Sequence, residues 1–308
     1  MELVGIAIST TELSIAKIDA ATKKVEIVYD NHLKLNNRLA TSEILKTLDK
    51  LGNFSGIGIA STGFLDQNKG IIKRGSAIGI RNYEIANMLE DRYGVPVSLY
   101  TLGVANVIAE KLFGIAKEYK NILYVSISSL IRAGVITSNH VLLGAEGQAH
   151  QIGHVTVSSE GGLKCSCGSK GGHWNAYCSG YGIPQYVKYL LNTKYKNEKS
   201  QLRSMKIDAK TFYSLAKSDK VARRMALEDI GRLNAIGVAN GINAYNPEIV
   251  ILGGVIAKKN PELVLDPIKR NVEKYIVNKK PKIVLSEWQT EGKFLGAVSD
   301  FLHSEAKL

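Results

Sequence analysis

The sequence predicts an α/β protein of two lobes with a cleft between related halves. Three observations carry this. A strand meander followed by helix–strand alternation occurs twice, with a seam near residue 115. The runs Leu-Val-Gly-Ile-Ala-Ile (3–8) and Gly56-Ile-Gly-Ile-Ala60 are short and apolar, as buried strands are. Val221, Met225, Ile230, Leu233 and Val238 lie at helical intervals and make one buried stripe.

In order, residues 3–8, 13–18 and 25–29 read as an antiparallel meander. A helix over 41–51 follows, with Ser42 as its cap ahead of Ile44, Leu45 and Leu48. Strand 56–60 ends in the turn Ser61-Thr-Gly63, helix 84–93 leads to strand 95–99, and helix 104–114 closes the first half. The pattern restarts with strands at 121–128, 132–138 and 140–143. Helices are predicted at 183–192, 209–217 and 219–244, then strand 248–252 ending in Gly253-Gly254. A helix over 261–277, strand 282–286 and a terminal helix over 293–304 complete the chain.

The chain has 308 residues, 45% hydrophobic and 22% charged, which suits two domains or one large domain with lobes. These proportions exclude disorder as the main state, and low-complexity character with it. No run of about 18 apolar residues occurs, so no membrane span is expected. The opening residues lack a basic stretch followed by an apolar one, so no signal peptide is expected and a cytoplasmic location is the default.

Forty Lys and Arg against 28 Asp and Glu leave a formal charge of +12. Residues 188–224 carry a net +8 and residues 257–282 a net +5. Such local excess is a footprint for phosphate-bearing partners, or a solvated helical surface. Solvated faces are the favoured reading, because neither segment interleaves aromatics and glycines as a platform for single-stranded nucleic acid does.

The three cysteines, Cys165, Cys167 and Cys178, fall within fourteen residues. An odd number so closely spaced is a poor disulfide framework. Cys165 and Cys167 with His154 and His173 can complete a tetrahedral zinc shell, and the glycines at 168, 171 and 172 permit the turns that close ligands need. Four protein ligands leave no open position, so such a site is structural. The alternative is a buried or redox-sensitive cysteine pair. Cys178, in Ala-Tyr-Cys-Ser-Gly, reads as a small core residue at the start of a helix. Whether His173 or Cys178 is the fourth ligand stays open.

The segment from His154 to Gly180 resembles the signature of the ROK family (repressors, open reading frames and sugar kinases) of the actin-like ATPase superfamily, and the resemblance runs over nearly the whole chain. Gly63-Phe-Leu-Asp66 followed by Lys-Gly70 is similar to its Pro-Gly-x-x-Asp segment. Asn106, Glu110 and Gly114 look like the end of its Asn-Asp-Ala-Asn helix, and Gly144 through Ile152-Gly-His154 like its Ala-Gly-Glu-Ile-Gly-His stretch. Asn246-Pro-Glu-Ile-Val-Ile-Leu-Gly-Gly254 looks like its adenosine-side strand. The resemblance implies an actin-like, ribonuclease H-like α/β fold. Its N-terminal lobe would span 1–115, with a C-terminal helix over 293–308 packed back on it, and its C-terminal lobe 116–292, with the zinc knuckle. It also implies a homodimer, a sugar ligand contacted by Asn106, Gln151, His154 and Asn175, and a nucleotide beside Gly253 and Gly254. Family repressors add an N-terminal helix-turn-helix; here the first strand begins at residue 3, so that module is not expected. The family's third knuckle cysteine falls on Gly172, which shifts the ligand to His173.

Several family positions that carry chemistry are changed. The aspartate that accepts the sugar proton falls on Val104, which accepts no proton at any pH. The magnesium-organising aspartate falls on Ala7, and the glycines that follow it on Ser9 and Thr10. The second glycine-rich loop has become Ser128-Ser-Leu130-Ile-Arg132-Ala-Gly134. Two sugar-binding glutamates have become Gln151 and Asn175, which keep hydrogen-bonding capacity. The reading is a kinase-like protein that binds a sugar, a nucleotide or a partner without phosphoryl transfer, with structural zinc and with ATP and magnesium doubtful. Its alternatives are an active hexose or N-acetylhexosamine kinase with a rearranged site, and a basic regulatory or nucleic-acid-associated protein.

Overall fold

The computed structural model describes residues 1–75 and 78–302. The chain divides into two compact units. The first comprises residues 1–118, 138–150 and 287 onward; the second comprises 119–137 and 151–286. Against the expected 1–115 with a returning helix over 293–308, these units also assign the segment 138–150 to the first.

The first unit opens with β1 (Glu2–Ile8), β2 (Leu13–Asp19) and β3 (Val25–Asn31). Next come β4 (Ile57–Ser61), β5 (Phe64–Asp66), β6 (Ile71–Arg74), β7 (Arg81–Tyr83) and β8 (Val97–Thr101). Its main sheet has the order β3-β2-β1-β4-β8. β1 pairs antiparallel with β2 and parallel with β4, with Val4 opposite Ile57. All five residues of β4 are buried, as expected for a parallel strand covered on both faces.

Period-two alternation sends the side chains of β1 to two separate cores. Val4, Ile6 and Ile8 pack with Ile44 and Leu48 of α1 (Asn37–Leu48) and Ile85 and Leu89 of α2 (Ile85–Tyr93). Leu3 and Ala7 pack with Leu102 and Ala105 of α3 (Leu102–Leu112) on the other face. The small strands β5, β6 and β7 form a separate sheet that the sequence reading missed, because three or four residues are too few to show a period.

In the second unit β9 (Ile122–Ile127), β10 (Ile131–Thr137), β12 (Ile249–Gly253) and β13 (Lys282–Leu285) repeat this plan. The short β11 (His140–Val141) falls in the segment that returns to the first unit. β9 pairs antiparallel with β10 and parallel with β12, as β1 does with β2 and β4. The helices are α4 (Trp174–Cys178), α5 (Ile183–Asn192), α6 (Ala209–Leu215), α7 (Lys220–Arg224) and α8 (Gly231–Tyr245), then α9 (Val255–Lys259) and α10 (Pro261–Asn271).

Helix ends shift where a side chain caps the backbone. α1 begins a turn before the expected 41, because Asn36 Oδ1 accepts from Leu39 N at 2.9 Å; Ser42 lies inside the helix. α3 begins at Leu102 because Thr101 Oγ1 accepts from Val104 N at 3.3 Å. The expected helix over 219–244 is interrupted by a π-helical turn, Met225–Ile230. That turn accommodates the five-residue step between Met225 and Ile230, both fully buried. The helix expected over 261–277 ends at Asn271 and continues as one 3₁₀ turn, Val272–Lys274.

α11 (Gly292–Ala297) and α12 (Ser299–Leu302) replace the expected terminal helix of 293–304, and residues 303–308 lie outside the described residues. α11 lies so close to α3 that a Cβ on Gly296 would sit 1.7 Å from the Ala105 carbonyl oxygen. Only glycine permits that approach.

Candidate metal centre and ligand-binding residues

A short antiparallel contact brings the two histidines together. Trp174 N donates to Val155 O at 2.9 Å, Thr156 bridges His173, and Val157 N donates to Gly172 O at 2.9 Å. A turn with Gly168 at φ +96°, closed by Gly168 N donating to Cys165 O at 2.9 Å, places both thiols beside them. Trp174 anchors the assembly. It is fully buried, donates from Nε1 to Asn234 Oδ1 at 2.9 Å, and occupies the space where Gly237 has no side chain.

The ligand atoms of His154, Cys165, Cys167 and His173 all lie within 4.8 Å of one another. His154 Nδ1 is 3.4 Å from His173 Nδ1 and 3.6 Å from Cys165 Sγ, and His173 Nδ1 is 3.4 Å from Cys167 Sγ. A tetrahedral ion with bonds of about 2.05 Å to nitrogen and about 2.3 Å to sulfur requires about 3.3–3.4 Å between nitrogens and about 3.6 Å between nitrogen and sulfur. The donor set and its separations therefore fit such an ion. Burial, with His173 adding to it, holds His154 below its ordinary pKa, so the ring is neutral, the form that ligates. Burial raises the Cys165 thiol, so its ionisation calls for a cation beside it.

The shift from the family's cysteine to His173 has a steric reason. Gly172 has φ +72°, and a Cβ there would lie 1.7 Å from Ser158 O. No ligating side chain fits at that position. Cys178 ends α4 instead of starting a helix; it is fully buried, with Sγ 3.7 Å from Ile230 O, and stands outside the cluster.

Val104 is fully buried in the first turn of α3. Asn106, half-buried, donates from Nδ2 to Leu102 O at 2.6 Å, which commits part of its amide to its own helix. Ala7 is 1% exposed and packs with Ala16, Ala60, Leu102 and Ala105. In the turn after it, Ser9 N donates to Glu12 O at 2.8 Å. The Glu12 carboxylate accepts from Lys293 Nζ at 2.6 Å and from Ser14 Oγ. Burial works to raise the Glu12 pKa, but the Lys293 charge and these hydrogen bonds outweigh it and hold the group below its ordinary value. The sequence reading passed over this carboxylate. Its presence in the turn was legible, whereas a partner 281 residues away was not.

His150 was also missed. It is 4% exposed, with Nε2 3.0 Å from Thr101 Oγ1, the hydroxyl that caps α3. Burial pushes its pKa down to about 4. The unfolded chain takes up a proton near pH 6.5, while the folded chain refuses it until about pH 4. The contribution of the neutral ring is therefore complete above pH 6.5 and is lost as pH falls, at about 1.4 kcal/mol per pH unit. Urea unfolding from pH 7 to 4.5 should show this slope, and His150→Gln should flatten it. An unchanged slope in the variant would assign the effect to other groups.

In the second unit Gln151 is half-buried and its carbonyl accepts from His154 N at 2.9 Å. Asn175 is 1% exposed, and its Oδ1 accepts from Ile131 N at 2.7 Å. That oxygen clamps the start of β10, which commits part of the Asn175 amide to the backbone. In the second loop Ser128 O and Ser129 O accept from Gly180 N and Tyr181 N, and Leu130 is buried. Arg132 is held down to about 10 by burial and stays charged at neutral pH. Gly253 and Gly254 close β12 against β9. A Cβ on Gly253 would lie 1.9 Å from the Tyr124 hydroxyl, and Gly254 has φ +83°. The positive φ and the nearby Ile127 carbonyl favour glycine at 254, whereas at 253 the close neighbour is the end of the Tyr124 side chain.

Comparison with known proteins gives a consistent picture. The model of the ROK family matches residues 3–299. The xylose repressor of Bacillus spizizenii is 31% identical over 253 residues, covering 79% of this chain and 61% of the repressor. The chain thus spans about three fifths of that relative's length. The glucokinase of Thermotoga maritima is 27% identical over 312 residues, covering 97% of this chain and 96% of the enzyme. A solved ROK family glucokinase from Streptomyces griseus, in complex with glucose and AMPPNP, superposes with a TM-score of 0.82 at 21% identity, covering 97% and 98% of the two chains. The α/β actin-like fold expected from the sequence is therefore the fold of this chain. Among the described residues no helix is long and apolar enough to cross a membrane.

Proposed function

We propose that this chain, which belongs to the ROK family, is a sugar-kinase-like protein that binds a small molecule, a sugar or a nucleotide, without transferring phosphate. The observation that carries the reading is Val104, fully buried where the family's base stands. Losing a general base alone costs about 10²–10⁴-fold.

The phosphate side supports it. Ala7 lies in an apolar cluster, where a carboxylate for magnesium would be stranded. Glu12 supplies a carboxylate in the same turn, but Lys293 and Ser14 occupy it. Leu130 fills the second loop in place of glycine. These residues do not fit a magnesium-bound triphosphate. The four-ligand cluster, in contrast, fits zinc, which would hold residues 154–173 in place and, with its shell filled by protein, would supply structure without catalysis.

The glucokinases among the relatives favour a second reading, an active ATP-dependent hexose or N-acetylhexosamine kinase. Incubation with ATP, magnesium and a panel of hexoses and N-acetylhexosamines separates the two. No turnover is expected; a rate near about 1 s⁻¹ on any sugar, ordinary for an enzyme, would establish the second reading.

A further inference from the structure

We infer that Cys165 and Cys167 form an oxidation site, where a hydroperoxide joins their sulfurs into one disulfide, empties the metal centre and frees the loop between its histidines. The inference rests on the zinc reading above and goes beyond it, since a purely structural ion needs no route of release.

Three observations carry it. The sulfurs differ in access: Cys167 is exposed, whereas Cys165 is 1% exposed. They stand two residues apart in the turn that Gly168 N closes on Cys165 O, with their sulfurs within 4.8 Å of each other. Side-chain rotation can therefore join them without moving a helix or strand. They are also the only thiols of the cluster. One bond removes half of the donors and leaves His154 and His173, too few for a tetrahedral shell.

The loop has little else to hold it. Of the described residues 158–171, only Cys165 is buried. The ties to its surroundings are single hydrogen bonds: Tyr177 Oη donates to Glu160 O at 2.7 Å, Gln185 Nε2 to Lys164 O at 2.8 Å, and Thr156 Oγ1 to Gly171 O at 2.8 Å. The metal centre thus serves as the core of this loop, and a segment without apolar contacts opens once its core is lost. Trp174, held by Asn234, stays in place.

The chemistry balances with hydrogen peroxide as the oxidant. The accessible Cys167 thiolate attacks one peroxide oxygen; an S–O bond forms, the O–O bond breaks, and the departing hydroxide takes a proton to become water. The Cys165 thiolate then attacks the Cys167 sulfur; the S–S bond forms, the S–O bond breaks, and a second hydroxide leaves and is protonated. Two thiolates lose two electrons and the peroxide gains them. A dithiol reverses the bond by exchange. Cys178, buried with Sγ beside Ile230 O, takes no part.

The full chain, its zinc first measured by metal analysis, is treated with excess hydrogen peroxide beside a chromophoric chelator. Zinc should be released as two of the three thiols disappear, peptide mapping should find the Cys165–Cys167 bond, and a dithiol with zinc salt should restore the centre. Trypsin should cut after Lys164 and Lys170 about tenfold faster or more in the oxidised chain. Cys167→His keeps four donors but cannot form the bond, and should hold its zinc under the same treatment. Zinc retained under peroxide, oxidation that stops at the Cys167 oxyacid, a bond to Cys178, or release from zinc-loaded Cys167→His as fast as from the unaltered chain would each overturn the proposal. The bond map of the unaltered chain decides even where that variant fails to load. A chain that holds no zinc before treatment would refute the zinc assignment and this site with it, whereas zinc present and retained would refute the oxidation site alone.

Discussion

One equivalent of zinc per chain is the expected result of metal analysis, and Cys165→Ser is expected to abolish it and lower the melting temperature by about 10 °C or more. The scale comes from small zinc fingers, where structural zinc is worth about 10–16 kcal/mol. Here Trp174 and Asn234 also hold the segment, so part of the fold should survive. The ligand separations of 3.4 and 3.6 Å are those of a closed tetrahedral shell. Without the ion, the two thiols and two rings would be held together only by weak thiol–imidazole contacts. Cys178→Ser serves as the control and should keep full metal content, because Cys178 stands outside the cluster. Retained zinc in Cys165→Ser, or a melting temperature indifferent to chelation, would refute the assignment.

Val104→Asp, which restores the family's base, is expected to destabilise the protein by about 3–5 kcal/mol and to yield no kinase activity. The site is closed, at 0% exposure inside α3, so the new carboxylate would be an uncompensated buried charge. Urea unfolding reads the loss, and an ATP-coupled assay with the sugar panel reads activity. Even a tolerated aspartate would lack the magnesium-organising carboxylate, because the family position for it is Ala7, buried among apolar side chains. A variant of unchanged stability that turned over sugar would show that the base alone was missing, and the non-transferring reading would fall.

Much of the fold was legible because local chemistry encodes it. Buried parallel strands are apolar throughout, so the core strands β1, β4, β9 and β12 could be read from composition. Helix starts were less legible, since Asn36 and Thr101 cap where Ser42 had been expected to. The π turn at Met225 was hidden because the stripe from Val221 to Val238 averages a helical period, which masks the five-residue step to Ile230. The Cys and His cluster was legible because its residues are close in sequence, yet that His173 joins it and Cys178 does not required three dimensions.

By itself the sequence determined the family, the doubled α/β plan, the cluster of Cys and His around 154–173 and the valine at position 104, all properties of residue type and spacing within short stretches. Tertiary structure alone decided that Gly172 has no room for a ligand, that Asn175 clamps backbone, and that Glu12 is answered by Lys293. The physical reason is common to all three. Steric room, hydrogen-bond commitment and charge pairing depend on which groups meet in space, and these partners lie tens to hundreds of residues apart along the chain.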